Sequence, residues 1–428
     1  MTKGLFLART MYLGGCEVYG AEFKEPGNLV CGRFSRALRK FIPLKNPLVE
    51  GTEAYVSQVL EIIRTERIQL WISCSGVATA SQDAQLARAI EKSTKCKTLQ
   101  FDEDVITTLD DKLEFMQKTS QLKLANMQWY PLQHESDISG ALNFINDSHS
   151  NFRRIRFMVK SANMDDSTRG SLPLLDSTDI LAAEQLLKSL DYTGGRKWIL
   201  QEFVDSGEEY CTFAVVIQGR VRAFTACASA SVLMHYHQLD SKSILYGAML
   251  KFTQDYANGL GRNATGHLSF DFLIRHISAD GGFGGQLVPI ECNPRCHTAV
   301  VLFEGMESAL SEIYQEVIEG ISETEILEAA CEKETGFYWM AHDVVLGVSS
   351  FCSLLLSQDQ LARSTALRQT LDCIYHLLSW RDPTFLWWDP LPWFVLNHLY
   401  WPWKLALASW AGMKWKQLNV STTKMFKA

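Results

Sequence analysis

The chain of 428 residues is 47% hydrophobic and 21% charged, enough apolar material for a large core and two or three domains. Its net charge of −7 lacks the dense basic face that phosphate-backbone binding needs, which argues against nucleic acid as a main partner. Eleven scattered cysteines, an odd number with no CxxC pair, fit reduced thiols in a cytoplasmic protein rather than a disulfide framework or a zinc site. The one soft cluster, Cys292-x3-Cys296 with His297, has no second pair to complete it. Arg9 cuts the apolar stretch Gly4–Ala8 far short of a signal-peptide core, and no apolar run reaches the ~18 residues of a spanning helix.

In chain order, Lys3–Arg9 reads as a short buried strand and Glu17–Phe23 as a second, after a turn at Gly14-Gly15. Residues 52–66 carry a helical stripe (Tyr55, Val56, Val59, Leu60, Ile62, Ile63) with Thr52 as the expected N-cap. Ile68–Ser73 follows as a strand and Ser81–Lys92 as a helix. This alternation predicts a small open α/β domain over residues 1–108. Gly14-Gly15 is not GxGxxG, so a dinucleotide fingerprint is absent. Asp110 or Asp111 caps the next helix, and Asp111-x-x-Glu114 resembles a capping box. A strand over 153–160 ends at Lys160, a polar loop follows over 161–170, then a helix over Ser177–Leu190 and a buried strand Trp198–Val204. Tyr210–Ile217 and Arg220–Ala226 flank Gln218-Gly219 as a hairpin. Residues 109–330 are therefore expected to be α+β.

Four segments carry chemistry. In Ser269-Phe270-Asp271-Phe272 and Ile290-Glu291-Cys292-Asn293-Pro294-Arg295, strand alternation puts Glu291 and Asn293 on one face and turns Cys292 into the body. With Asp271 beside them, two carboxylates and an amide oxygen would converge, a donor set that suits Mg²⁺ with nucleotide phosphate. An edge hairpin with solvated acids is the plainer alternative. Lys160 before a small-residue loop could present an ammonium to phosphate, or be an ordinary surface lysine. Gly281–Gly285 joins the two acidic strands and reads as a turn. Gln201–Glu209 is an apolar strand running into a polar Gly-containing turn, a form that can pair with an adenine edge and hold ribose hydroxyls.

The order Lys112, Lys160 with its loop, QEFV-x-x-G-x-E, then SFDF…IECNPR resembles the ATP-grasp superfamily over about residues 3–305. The resemblance implies phosphate-binding roles for Lys112 and Lys160, with 161–170 as a lid. It makes Glu202 and Val204 the adenine hinge, Glu209 the ribose ligand, and Asp271, Glu291 and Asn293 the ligands of Mg²⁺ (or Mn²⁺). Arg295 would then stabilise a phosphorylated intermediate, with Lys160 as its catalytic partner. The runs LDDK, WILQEFV…GEEYCT, GHLSFDF, IECNPRCHTAVVLF, FYWMAHD and DPLPWFVLNHL…KWKQLNVSTTK are similar to the mycosporine-glycine synthase-type ATP-grasp enzymes. That likeness implies ATP-driven coupling of 4-deoxygadusol to glycine, a small-molecule acceptor joined to an amino-acid amine. A carboxylate–amine ligase and a non-catalytic ATP-binding regulator are the rival readings. The chain lacks the hydrophobic N-terminal extension of some relatives, and its lid reads MDDSTRG, with one arginine where relatives tend to have two. Arg220–His237 is the expected substrate wall, and Arg295 and His297 could contact an acidic or enolic group; His297 could instead simply start a helix. A homodimer is compatible with this family.

Eight of the 12 tryptophans lie at or after Trp380, interspersed with Pro383, Pro390, Pro392 and Pro402 and with Lys404, Lys414 and Lys416. Interfacial tryptophan with lysine suits peripheral membrane contact. Prolines, Asp389, Asn397 and His398 interrupt the apolar run, so residues 331–428 are expected to pack as a Trp-rich extension on the rest.

Overall fold

The computed structural model of the chain describes residues 2–24, 29–148, 155–162, 174–205, 208–229, 235–276, 285–321, 325–329, 336–413, 415–419 and 424–427. Helix α1 (Thr2–Leu13) stands where a strand over Lys3–Arg9 is expected. Leu5, Phe6 and Leu7 are all buried, because neighbours enclose α1 on several sides. A short continuous apolar run has no period that separates a buried helix from a buried strand. Strands β1 (Val18–Phe23) and β2 (Leu38–Leu44) pair in parallel, the second without a counterpart in the sequence reading. Helix α2 (Pro47–Glu50) is capped by Asn46, whose side chain accepts from Leu48 N at 3.0 Å. In α3 (Thr52–Glu66) the N-cap is Gly51 at φ 89°, so Thr52 is the first helical residue rather than the cap. Strands β3 (Leu70–Ile72) and β4 (Lys97–Leu99) are parallel, with α4 (Ala80–Ser93) between them in sequence. Asp83 of α4 is fully buried and accepts from Tyr55 Oη (2.8 Å) and Ser73 Oγ (2.5 Å), tying α3, α4 and the end of β3 together. Among the described residues β1–β2 and β3–β4 are separate sheets, and a cleft of about 680 Å³ lies where they face, lined by Gly20, Glu22, Leu70, Ile72, Tyr55 and Val59.

Helix α5 (Glu103–Asp110) ends one residue before α6 (Lys112–Gln121), and Asp111 Oδ1 caps α6 through Leu113 N (2.8 Å) and Glu114 N (3.0 Å). An antiparallel sheet follows: β5 (Trp129–Leu132), β6 (Arg156–Ser161), β7 (Leu174–Asp176) and β8 (Trp198–Glu202), in the order β5-β8-β6-β7. Helices α7 (Ile138–Ser148) and α8 (Ile180–Ser189) cover one face, closing a core of Leu132, Ile145, Phe157, Val159, Leu187 and Leu200.

A larger sheet contains β9 (Glu209–Ile217), β10 (Arg220–Ala228), β11 (Gly266–His276), β12 (Gly285–Asn293) and β13 (Leu327–Glu328), ordered β12-β11-β9-β10-β13. The β9–β10 turn has both Gln218 (φ 51°) and Gly219 (φ 74°) in the left-handed region, the two-residue form expected for this hairpin. Period-two alternation splits β9 between two cores. Ala214 and Val216 meet Phe252 and Tyr256 of α9 (Ile244–Leu260), while Phe213 and Val215 meet Val300, Phe303 and Tyr314, the last from α10 (Glu307–Glu319). Both faces are covered, so the strand reads as a continuous apolar run.

Helices α11 (Met340–Leu356) and α12 (Gln360–Ser379) form a helical hairpin capped by Asp359. Helix α13 (Leu391–Phe394) continues through a π-helical turn, Val395–Tyr400, into α14 (Trp401–Trp410). Pro392 sits in a first turn, where a missing N–H costs little, and Pro402 follows directly on the π-helical turn, inside a continuous helical run. Strands β14 (Trp415–Asn419) and β15 (Lys424–Lys427) pair antiparallel. Trp401 is buried with Cys31, Val395, Leu396 and Tyr400, whereas Trp387, Trp403 and Trp410 are exposed. No helix among the described residues is long and apolar enough to cross a membrane.

Candidate functional site

The β11–β12 hairpin sets the site. Asp271 is registered with Glu291 and Ser269 with Asn293, and an irregularity after Asp271 puts Phe272 opposite Pro289. Cys292 points the other way, into the core with Phe270, as alternation requires. Asn293 donates from Nδ2 to Asp271 Oδ2 at 3.1 Å, while its Oδ1 accepts from Arg295 Nη2 at 2.5 Å. Arg295 also donates from Nη1 to Asp110 Oδ1 at 2.6 Å, clamping the end of β12 to the end of α5.

One residue of the α5–α6 junction then brings in a second cation. Lys112 is the first residue of α6, and its Nζ lies 3.6 Å from Glu291 Oε2. Its backbone N–H donates to Ala162 O at 3.1 Å, so the strand that carries Lys160 ends against the start of α6. Glu209 opens β9, and Cys211 on the same strand is registered with Asp271. Burial, then the Glu291 and Glu209 carboxylates, push the Asp271 carboxyl well above the usual range. Burial also raises Asp110, against the pull of Arg295. Such charge crowding marks the strand end as a functional-site candidate.

Glu202 ends β8. Its carboxylate accepts from Gln128 N (3.0 Å) and pairs with Arg275 of β11 (2.8 Å), linking the two large sheets. Its own N–H donates to Gln128 O at 2.8 Å, and Phe203 N donates to Arg156 O at 2.7 Å. Alternation therefore aims the main-chain groups of Glu202 and Val204 to one edge and those of Phe203 to the other. The Val204 side chain is buried in the core beside Phe270.

His297 caps the 3₁₀ turn Thr298–Phe303, its Nδ1 accepting from Ala299 N at 3.3 Å, so the plainer helix-start reading of this residue holds. Burial, reinforced by Lys3 and Arg295, lowers its imidazole to about 3, which keeps it neutral. It still faces the site: ligand atoms of Cys211, Asp271 and His297 lie within 4.8 Å of one another. Sequence reading passed over Asp110, Cys211, Arg275 and Lys3. Lys3 donates from Nζ to Ser75 O (3.1 Å) and Cys296 O (3.0 Å), buried under the site. Only the doubled acid Asp110-Asp111 offered a signal, since one of the two was free of the capping role. From residue 163 onward the lid lies outside the described residues, as do Ser206-Gly207, Gly281–Gly284 and residues 230–234 of the substrate wall.

The four-stranded sheet β5-β8-β6-β7 and the five-stranded sheet β12-β11-β9-β10-β13, each packed with helices, have the ATP-grasp fold. A solved structure of the ADP complex of PurK, an N5-carboxyaminoimidazole ribonucleotide synthetase, is similar over 87% of this chain and 95% of its own, with a TM-score of 0.52 at 14% identity. Pyruvate carboxylase of Rhizobium etli is similar over 75% of this chain, with a TM-score of 0.51 at 14% identity, and an L-amino acid ligase from Bacillus licheniformis over 70%, with a TM-score of 0.46 at 16% identity. The chain spans 28% of the carboxylase's length and 66% of the amino acid ligase's. No protein-family model matches the chain, and no curated protein matches it.

Proposed function

We propose that the protein is an ATP-dependent C–N ligase that phosphorylates an acceptor oxygen and then couples the acceptor to an amino-acid amine. The observation that supports this most is the convergence of Asp271, Glu291 and Asn293 with Lys112 and Arg295 at one strand end of the grasp. The mycosporine-type motifs favour 4-deoxygadusol as acceptor and glycine as amine.

The donor set fits Mg²⁺ or Mn²⁺ once the Asn293 amide turns its oxygen from Arg295 toward Asp271, giving two carboxylates and an amide oxygen. Such an ion, when bound, would neutralise phosphate charge and align the transferring group. Lys112 and Lys160 would hold the phosphates, the main chain of Glu202 and Val204 the adenine, and Glu209 the ribose. Arg295, held by Asp110 and Asn293, would meet charge developing on the leaving group. In the first step the acceptor oxygen forms a P–O bond as the bond to departing ADP breaks. In the second the neutral amine bonds the acceptor carbon, phosphate leaves with that oxygen, and the amine proton passes to solvent. Positioning and water exclusion by the 161–170 segment would supply much of the rate. The same reading divides the chain into a 1–108 α/β domain, a 109–330 grasp and a 331–428 extension, in a cytoplasmic protein.

The test is product analysis with Mg²⁺-ATP, glycine and other amines, and either 4-deoxygadusol or a panel of carboxylic acids. ADP and phosphate released only with acceptor and amine together are expected. AMP and pyrophosphate would sink the phosphoryl mechanism, and turnover with carboxylic acids alone would move the assignment to a carboxylate–amine ligase.

A further inference from the structure

Remote from the β11–β12 acids in sequence, three imidazoles surround one carboxylate. Asp343, in the first turn of α11, is completely buried, and each of its oxygens meets a histidine. His235 Nε2 lies 2.7 Å from Oδ1, and His376 Nδ1, on α12, lies 2.7 Å from Oδ2. The ligand atoms of His235, Asp343 and His376 are all within 4.8 Å of one another. A third ring, His342, is 8% exposed and places Nδ1 3.7 Å from Asp343 Oδ1 with no hydrogen-bond partner.

A metal-free clasp accounts for two of these rings, since neutral His235 and His376 can each donate one N–H to the carboxylate. It does not account for His342. A buried, unpartnered ring nitrogen costs about 1–3 kcal/mol, and this one is turned toward the carboxylate of its chain neighbour. Two ligand atoms on a tetrahedral zinc are about 3.4 Å apart for bonds of about 2.0–2.2 Å, so on binding the ion His235 and His376 would give up their 2.7 Å hydrogen bonds and draw back slightly, while His342 Nδ1, 3.7 Å from Asp343 Oδ1, would close in. The surroundings also suit a metal shell. Trp380 packs on His376 with ring centroids 4.3 Å apart and on His235 at 5.6 Å, holding the two rings against the carboxylate.

We propose that His235, Asp343 and His376 bind one divalent zinc ion, with His342 turning in as the fourth donor, and that the ion fastens the α11–α12 hairpin to the segment following β10. Three imidazoles with a single carboxylate select zinc over the magnesium class, which prefers oxygen. The segment it would hold is already docked by paired bonds between Tyr236 and Phe337 (3.0 and 2.8 Å). Tyr236 in turn packs against His297 at 6.0 Å, so the metal would brace one wall of the candidate active site from behind. Its role is structural, and it stands whether or not the ligase reading does.

The experiment uses the full chain, loaded with zinc and dialysed, with retained metal measured by mass spectrometry. About one zinc per chain is expected, and a Co²⁺-loaded sample should show the visible bands of a tetrahedral site. His376→Gln and His342→Gln should each weaken zinc binding by at least about tenfold, whereas Glu291→Gln, which alters the β12 acid, should retain it. Should the variants fail to fold, the wild-type chain decides: zinc is expected to raise its melting temperature. A folded wild-type chain that retains no zinc, shows no Co²⁺ bands and melts identically with and without zinc overturns the proposal. Undiminished zinc in both folded histidine variants overturns it equally.

Discussion

Arg9 of α1 and Asp389, 380 residues later, form a buried ion pair with Nε 2.8 Å from Oδ2. Every remaining polar group of the pair is occupied. Arg9 donates to the carbonyls of Pro383, Thr384 and Asp389, and Asp389 accepts from Ser35 Oγ (2.6 Å) and Arg36 N (2.8 Å). This network docks the Trp-rich extension onto the first helix. Arg9→Ala or Asp389→Ala leaves a buried charge uncompensated and should cost about 3–5 kcal/mol in denaturant unfolding. The pair Arg9→Met with Asp389→Leu should cost clearly less than the sum of the two alanine changes, because it leaves no orphan charge.

Glu291→Gln keeps the shape of the hairpin but removes one of the two facing carboxylates, and relieves the crowding on Asp271. Acceptor-dependent ADP release should fall by about 10²–10³-fold or more. The thermal shift given by Mg²⁺-ATP should shrink, while the melting temperature without nucleotide stays the same or rises. Wild-type turnover would remove Glu291 from the metal site.

Asp83 gives the pH prediction. Burial raises its folded carboxyl above the ordinary value, against the pull of Ser73, Ser75 and Tyr55. As pH rises above the unfolded value, the unfolded chain releases this proton first and binds fewer protons than the native one. Stability therefore falls with rising pH, by up to about 1.4 kcal/mol per unit, until the folded carboxyl also ionises. Asp83→Asn should flatten this component in melts between pH 4 and 8. An unchanged slope would mean that Asp83 does not carry it.

The β9–β10 turn predicts effects of opposite sign at adjacent residues. A Cβ on Gly219, at φ 74°, would sit 2.5 Å from Gly261 O, so Gly219→Ala should destabilise by about 1–3 kcal/mol. Gln218 already pays for a left-handed φ of 51°, so Gln218→Gly should be neutral or stabilise by up to about 1 kcal/mol. Chemical denaturation of the two variants separates them.

Much of the site was legible because it depends on period two over a few residues. Glu291, Cys292 and Asn293 alternate on β12 as their spacing dictates, and the capping oxygen of Asp111 is where an acid before an apolar stripe puts it. The first helix was misread because a short apolar run has no period to betray it. Asp389 looked like an interruption of an apolar segment, and is instead the residue that anchors it. Pro392 stands at a helix start and Pro402 directly after the π-helical turn, so neither ends the helical run.

By itself the chain determined which side chains share a strand face and where most helices and hairpins form. These follow from backbone sterics and local hydrogen bonding, which act over a handful of residues. Only the tertiary structure decided that Asp271 faces Glu291, that Arg295 reaches back to Asp110, and that His235, Asp343 and His376 share one buried point. Those pairings cross tens to hundreds of residues. Their partners are chosen by which charges burial leaves needing compensation, a quantity that exists only once the core has closed around them.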